Sequence, residues 1–221
     1  PVQIQGPKSK ALMNDLIGDQ VDLDNMPFYG LAEANVGGRS CVISQSGFSG
    51  EAGYEIYLRN ATKYAEDMWN AVLDAGKKHN LMVIAPAHHR RIQAGILSWG
   101  QDMDQEHNPF QCNLGYQVSL SGKGEWNKTA DYVGKEALEK MKSQIKNGEK
   151  PYKLQLVGIE LGGKPIEEYA PDFWLISNGD GGKPVGFITS PWYHPEKGKN
   201  IAMGYVPFEG TLNANGFPKG E

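Results

Sequence analysis

Between Ser46 and Leu58 the chain reads Ser46-Gly47-Phe48-Ser49-Gly50-Glu51-Ala52-Gly53-Tyr54-Glu55-Ile56-Tyr57-Leu58, a glycine-punctuated turn that runs straight into alternating positions. Period-two alternation marks a strand with one buried face, so the stretch commits the chain to a sheet and sets an acid, Glu55, at its entrance. Glycines at 47, 50 and 53 are expected to take positive φ and to let backbone lie close to a flat ligand. Phe48 and Tyr54 would supply aromatic walls. A carboxylate there can accept two parallel N–H bonds from the edge of an amino-pyrimidinone, and such charge-assisted pairs are the strong ones. The plainer alternative is a hairpin whose glutamate caps a turn and faces water.

The rest of the first 80 residues supports a sheet with helices on one side. Val2–Gln5 alternates like a strand, Gly6-Pro7 breaks it, and residues 8–17 space Ala11, Leu12, Leu16 and Ile17 as a helix. After an acidic connector over 19–28, residues 29–35 and Arg39–Ser44 read as strands joined by Gly37-Gly38, a favoured two-residue hairpin turn. Residues 61–79 form an amphipathic helix with Ala65, Met68, Trp69, Val72, Leu73 and Ala75 on one face. This order predicts an α+β or split βαβ sheet. Met82-Val83-Ile84 reads as a short strand, and a helix is expected from Pro86 to about Trp99 with Ile92, Ile96 and Trp99 along it.

Residues 118–120 and a helix over 133–145 close this part, and the polar run Lys146-Asn147-Gly148-Glu149-Lys150-Pro151 has linker character. Beyond it, strand-like stretches at Leu154–Leu161, 173–176, 185–189 and 201–206 alternate with glycine-rich turns, as in a small β-barrel or sandwich.

Composition narrows the function classes. A formal net charge of −4, with 39% hydrophobic and 22% charged residues, leaves no basic footprint for nucleic acid. Cys41 and Cys112 lie far apart and fit no disulfide framework or zinc spacing, which fits a reducing, cytoplasmic setting. No apolar run approaches the roughly 20 residues of a membrane span. Pro1 lies inside a strand-like run and Gly220-Glu221 in a glycine-rich connection, so the chain is expected to be a fragment.

Other chemistry-bearing clusters read as structural. Asp102, Asp104, Glu106 and His107 lack the mid-loop Gly and distal Glu of a calcium loop. His88-His89 are adjacent, and adjacent helical side chains diverge by about 100 degrees, a poor grip for one metal. No Gly-x-Ser-x-Gly elbow is present, and Asn178–Gly182 is a turn with no following Lys-Ser/Thr. Arg90 and Arg91 sit on the helix that follows the Glu55 hairpin, where an Arg can hold the far side of a ligand or simply bond nearby carbonyls. Trp99 and Tyr116 can stack on a ring, although Trp99 continues an apolar helical stripe.

Taken in order, Val2-Gln3-Ile4-Gln5-Gly6-Pro7-Lys8-Ser9, the Ser46–Leu58 stretch, Gly100-Gln101-Asp102-Met103-Asp104, Asn108-Pro109-Phe110, Tyr132-Val133-Gly134-Lys135-Glu136-Ala137-Leu138 and Lys199-Asn200-Ile201-Ala202-Met203-Gly204-Tyr205-Val206 resemble one family. It is the glycine-cleavage T-protein (aminomethyltransferase) superfamily, whose members pass one-carbon groups to tetrahydrofolate. The resemblance implies a T-protein-like folate-binding domain over 1–147, lacking its N-terminal part, and an incomplete C-terminal β-barrel over 148–221. It implies that Glu55 binds the pterin ring and that Phe48 stands where a folate-contacting Tyr does, while Arg91 matches the Arg of the family's Arg-Leu-Glu; Arg91, Tyr54, Trp99 and Tyr116 are expected, from their own chemistry, to contact the folate as well.

The implied partners are a small methyl or aminomethyl donor and a lipoyl carrier protein, with no nucleic acid and no membrane. The acid near N5 of tetrahydrofolate is expected before Pro1, so no catalytic residue is assigned. Phe48 replaces a Tyr, Gln45 an Arg, and Ala87 an Arg near the folate. With Gln-Gly-Pro-Lys-Ser and Gly-Tyr-Glu-Ile-Tyr, these features look nearer the dimethylsulfoniopropionate demethylase branch. The alternatives are a non-catalytic folate-binding protein of the iron–sulfur assembly type, whose Lys-Gly-Cys-Tyr-x-Gly-Gln signature is missing around Cys112, and the folate domain of a dimethylglycine or sarcosine dehydrogenase.

Overall fold

In the computed structural model the described residues are 1–85, 87–120, 130–170, 172–179, 181–212 and 218–220. They fall into two compact units, Pro1–Ile96 and Leu97–Glu221.

In the first unit β1 (Val2–Gln5), β2 (Leu31–Val36), β3 (Arg39–Ser44) and β4 (Gly53–Leu58) form an antiparallel sheet of order β1-β4-β3-β2. The helices α1 (Ser9–Ile17) and α2 (Ala61–Gly76) bury their apolar stripes on one face. Ile4, Cys41, Ile43, Tyr54 and Ile56 from the strands meet Leu12, Met13 and Ile17 of α1 and Met68 and Val72 of α2 in one core. Because side chains alternate across a strand, Glu55 and Tyr57 must lie on the opposite face from Tyr54 and Ile56. The α+β architecture with helices on one side is as expected. Gly37 and Gly38 both take positive φ, 57° and 74°, as a two-residue hairpin of the primed type requires.

Local details differ from the expectation. Along α2 the buried stripe is Met68, Val72 and Gly76, while Trp69 is 38% exposed. Leu81 folds back over Gly76, where an added Cβ would lie 2.4 Å from Leu81 Cδ2. Met82, Val83 and Ile84 form no strand and are exposed. The helix expected from Pro86 to Trp99 is only six residues long, α3 (His88–Gln93); Pro86 itself lies outside the described residues. Its stop is explicit: Gly95 takes φ 73°, its N–H bonds to Ile92 O and that of Ile96 to Arg91 O at 2.8 Å, a Schellman end.

The second unit holds α4 (Lys135–Lys146) and the strands β5 (Leu154–Leu161), β6 (Trp174–Ser177), β7 (Pro184–His194), β8 (Lys199–Leu212) and β9 (Pro218–Gly220). They make an antiparallel sheet of order β5-β8-β7-β6, with β9 on β8, so the barrel expectation is met as far as such a sheet. The units part between Ile96 and Leu97, well before the linker at 146–151, because residues 97–120 are tied to the second sheet. Phe110 packs with Ile145 and Phe208. The buried carboxylate of Asp102 accepts from Thr189 Oγ1 at 2.6 Å, Ser190 Oγ at 2.5 Å and the Ser98 N–H at 2.9 Å, while Tyr205 donates to its carbonyl at 2.7 Å. Gln155, fully buried, donates to Gln111 O at 2.8 Å and to Asn113 Oδ1 at 2.9 Å. No helix among the described residues is long and apolar enough to cross a membrane.

Candidate ligand-binding site

The glycine turn is built around a glutamine. Gln5, at the end of β1, sends its amide into the turn, donating to Ser46 O at 3.1 Å and accepting from Ser49 Oγ at 2.6 Å. A Cβ at Gly47 would lie 2.0 Å from Gln5 Oε1, and one at Gly53 would lie 2.3 Å from Gln5 Nε2. Only Gly50 of the three takes positive φ, 75°, and a Cβ there would strike Ala94 Cβ at 2.4 Å. The expected positive φ thus holds at Gly50 and is corrected at Gly47 and Gly53, which clear space for Gln5; Gly50 also clears space for Ala94 after α3.

That turn delivers Ser46 to Glu55. The register sets Glu55 of β4 opposite Gln3 on β1 and Ser44 on β3, all on the face away from α1 and α2. Glu55 is half-buried. Its Oε2 accepts hydrogen bonds from Ser46 Oγ and, at 3.1 Å, from the Tyr57 hydroxyl. Ser44 and Ser46 are both buried, with their hydroxyl oxygens 2.9 Å apart. An ionised carboxylate only accepts, so Ser46 spends its single proton on Glu55 and Ser44 donates to Ser46. Burial first, then the bond to Glu55 and its charge, raises the Tyr57 pKa, which keeps that phenol a donor. Among the described residues Oε1 has no protein partner, so it remains available to accept N–H bonds from a bound molecule.

Phe48 and Arg91 meet at the same turn. Phe48 is half-buried, and the Arg91 guanidinium carbon lies 5.9 Å from its ring centroid, at the outer limit of a cation–π contact. Arg91 is 1% exposed; it donates to Ile96 O at 3.2 Å and, from Nε, to His88 Nδ1 at 3.4 Å. It therefore holds the end of α3, with the Phe48 ring at the edge of its reach. Arg90 is exposed and pairs with Glu51 at 3.1 Å.

Of the other expected site residues, only Tyr54 shares a unit with Glu55 and can be placed against it. Tyr54 is 3% exposed within the core, since strand alternation turns it away from Glu55. Trp99 and Tyr116 belong to the second unit. Trp99 lies beyond the end of α3 and is 69% exposed, so it continues no helical stripe; Tyr116 occupies a single 3-10 turn, Gly115–Gln117, and is 67% exposed. The sequence reading missed Ser44, Ser46, Tyr57 and Gln5. The i, i+2 spacing of Glu55 and Tyr57 was a legible signal for one of them; the others needed the register. No cluster of three or more metal-ligating side chains occurs among the described residues.

An antiparallel sheet packed on two helices, with a hydroxyl-braced acid on its other face, defines an α+β unit. The chain belongs to the GCVT N-terminal domain family, whose model matches residues 1–122. It is 32% identical over 208 residues to the dimethylsulfoniopropionate demethylase DmdA of Ruegeria pomeroyi, covering 93% of this chain and 51% of that protein. It is 32% identical over 207 residues to the aminomethyltransferase of Thermotoga maritima, covering 93% and 50%. The crystal structure of glycine cleavage system aminomethyltransferase T from Bartonella henselae shares the fold, with a TM-score of 0.67 at 23% identity over 93% of this chain and 50% of that one. The chain thus spans about half the length of the curated relatives it matches.

Proposed function

We propose that this chain forms the folate-binding portion of a tetrahydrofolate-dependent one-carbon transferase, in which a methyl group, or the methylene carbon of an aminomethyl group whose nitrogen leaves as ammonia, passes from a small donor to tetrahydrofolate at N5. The observation that carries the reading is the carboxylate of Glu55, half-buried and held by Ser46 and Tyr57, with Oε1 left to accept. An acceptor of that kind fits the amino-keto edge of a reduced pterin, which offers N–H donors in a plane. Phe48, backed by Arg91, offers a ring face beside the turn. Tyr54, on the other face of the sheet, is left out of the proposed site, whereas Trp99 and Tyr116, both exposed, remain proposed as rings that stack on the ligand.

Family membership and the named activities of the relatives, aminomethyl transfer in one and demethylation of dimethylsulfoniopropionate in the other, support the reaction class. Tetrahydrofolate supplies the nucleophilic N5; the residues described here bind and orient its ring. A lipoyl carrier protein is the partner if the group is aminomethyl, and an onium compound the donor if it is methyl. The C-terminal sheet closes into a small barrel in this reading, and the enzyme works in the cytoplasm.

Titration of the whole protein with tetrahydrofolate tests the reading. Saturable binding is expected, and Glu55→Ala should weaken it by about 1.5–3 kcal/mol, the scale of a hydrogen bond to a charged group. Binding indifferent to that substitution would overturn it. Incubation with labelled tetrahydrofolate and candidate donors distinguishes a transferase, which yields 5-methyl- or 5,10-methylene-tetrahydrofolate, from a protein that only binds folate.

A further inference from the structure

Resting on the folate reading, we infer that Ser46, itself held by Ser44, is a positioning residue that fixes Glu55, and that Tyr57 is an exchangeable donor whose place on Oε2 is taken by a ligand N–H. A carboxylate oxygen accepts about two hydrogen bonds. Oε2 already receives two, from Ser46 Oγ and the Tyr57 hydroxyl, whereas Oε1 receives none among the described residues. A planar edge with two parallel N–H donors needs one lone pair on each oxygen, so one hydroxyl must leave Oε2 when such a ligand docks.

The two hydroxyls are not equivalent. Ser46 is 7% exposed and tied to Ser44, itself 5% exposed, by a 2.9 Å bond, and its backbone carbonyl is held by Gln5. Tyr57 is 42% exposed, at the tip of a long side chain on the sheet surface, with its bond to Glu55 at 3.1 Å. Its hydroxyl can turn to water on leaving, while that of Ser46 has only the buried Ser44 Oγ, 2.9 Å away, to turn to, and would exchange a charged acceptor for a neutral one. Ser46 therefore stays and holds the carboxylate in the plane of the incoming ring. Tyr57 covers the second acceptor site until a ligand arrives.

Tetrahydrofolate affinity of the whole protein, measured with single and double variants, tests this. Ser46→Ala should weaken binding about tenfold, and Ser46→Thr, which keeps the hydroxyl, should restore it to within about twofold. In a Glu55→Ala background Ser46→Ala should cost nothing further, because a residue that acts only through Glu55 has nothing left to position. Tyr57→Phe should tighten binding about threefold by removing the competing donor; it is a surface change that leaves the fold measurable even if Ser46→Ala does not. The inference is overturned if Ser46→Ala weakens binding equally with and without Glu55, if Ser46→Ala binds like the parent while Glu55→Ala does not, or if Tyr57→Phe weakens binding. Loss of the Glu55 effect itself would instead sink the folate reading.

Discussion

Gln5 occupies the space that side chains at 47 and 53 would need, and this decides which residues the binding turn tolerates. Gly47→Ala puts a methyl 2.0 Å from Gln5 Oε1, and the amide is held by Ser46 O and Ser49 Oγ, so the clash is relieved only by breaking those bonds. Such overpacking costs about 1–3 kcal/mol. Urea denaturation should show that loss in the parent and a smaller one in a Gln5→Ala background, since removing the amide removes the obstacle; equal losses would place the strain elsewhere. The same residues show how far single positions can be read without coordinates. Glu55 was legible as an acid at the start of an alternating strand, a place that a turn-capping glutamate also fills, and the ordered motifs around it set it apart. Tyr54 misled because aromatic character says nothing about which face of a strand it takes, although the alternation from Ile56 did say so. Ser44 and Ser46 come next to Glu55 only through the β3–β4 register, a property of two strands together.

Elements with a covalent or short-range cause were legible, and those set by tertiary packing were not. The β2–β3 hairpin follows from Gly37-Gly38, whose φ values of 57° and 74° only glycine adopts cheaply. Their costs should still differ. A Cβ at Gly38 meets nothing within 4 Å, whereas one at Gly37 would lie 2.8 Å from Ala71 Cβ on α2. Gly38→Ala should therefore cost about 1 kcal/mol of backbone strain and Gly37→Ala more, in thermal or urea unfolding; equal costs would mean that α2 yields freely. By contrast, the apolar run 82–84 suggested a strand, but a strand exists only where an edge accepts it. The stop of α3 at Gly95 outweighed the helical spacing of Ile92, Ile96 and Trp99. The Asp102 node was read as a polar connector, because Thr189 and Ser190 lie far away in sequence. Asp102→Ala strips two buried hydroxyls of this acceptor, and Ser98 of a partner for its N–H. A loss of about 2–5 kcal/mol is expected, together with faster thiol labelling of the buried Cys112, which lies 3.5 Å from Tyr205 Oη. Unchanged labelling would show that β7 and residues 97–120 are held by other contacts.

Across the whole chain the balance of charge bears on acid stability, and its sign follows from which form the fold favours. The Asp15 carboxyl is held below its ordinary value by hydrogen bonds from Lys78 and then His79, and Glu160 by Lys199. Asp22 is lowered by the Asn25 side chain, and Asp104 by the Glu106 backbone N–H and then His107. In each case folding favours the ionised form, so near the ordinary carboxylate range the unfolded chain binds more protons than the native one. The stabilisation is complete above that range and is lost as pH falls through the lowered folded values. Both units carry such groups, so the acid limb belongs to the molecule and not to one site. As the carboxylates protonate, the net charge also climbs from −4 to strongly positive, and self-repulsion adds to the loss. The melting temperature should thus be nearly flat above about pH 5 and fall below about pH 4. Asp15→Asn should lower it at neutral pH, where Lys78 and His79 lose their ionised partner, while its curve converges on that of the parent as pH drops, because the parent's Asp15 is by then neutral too. Curves that stay parallel down to about pH 2 would mean that Asp15 contributes through packing and not through its charge.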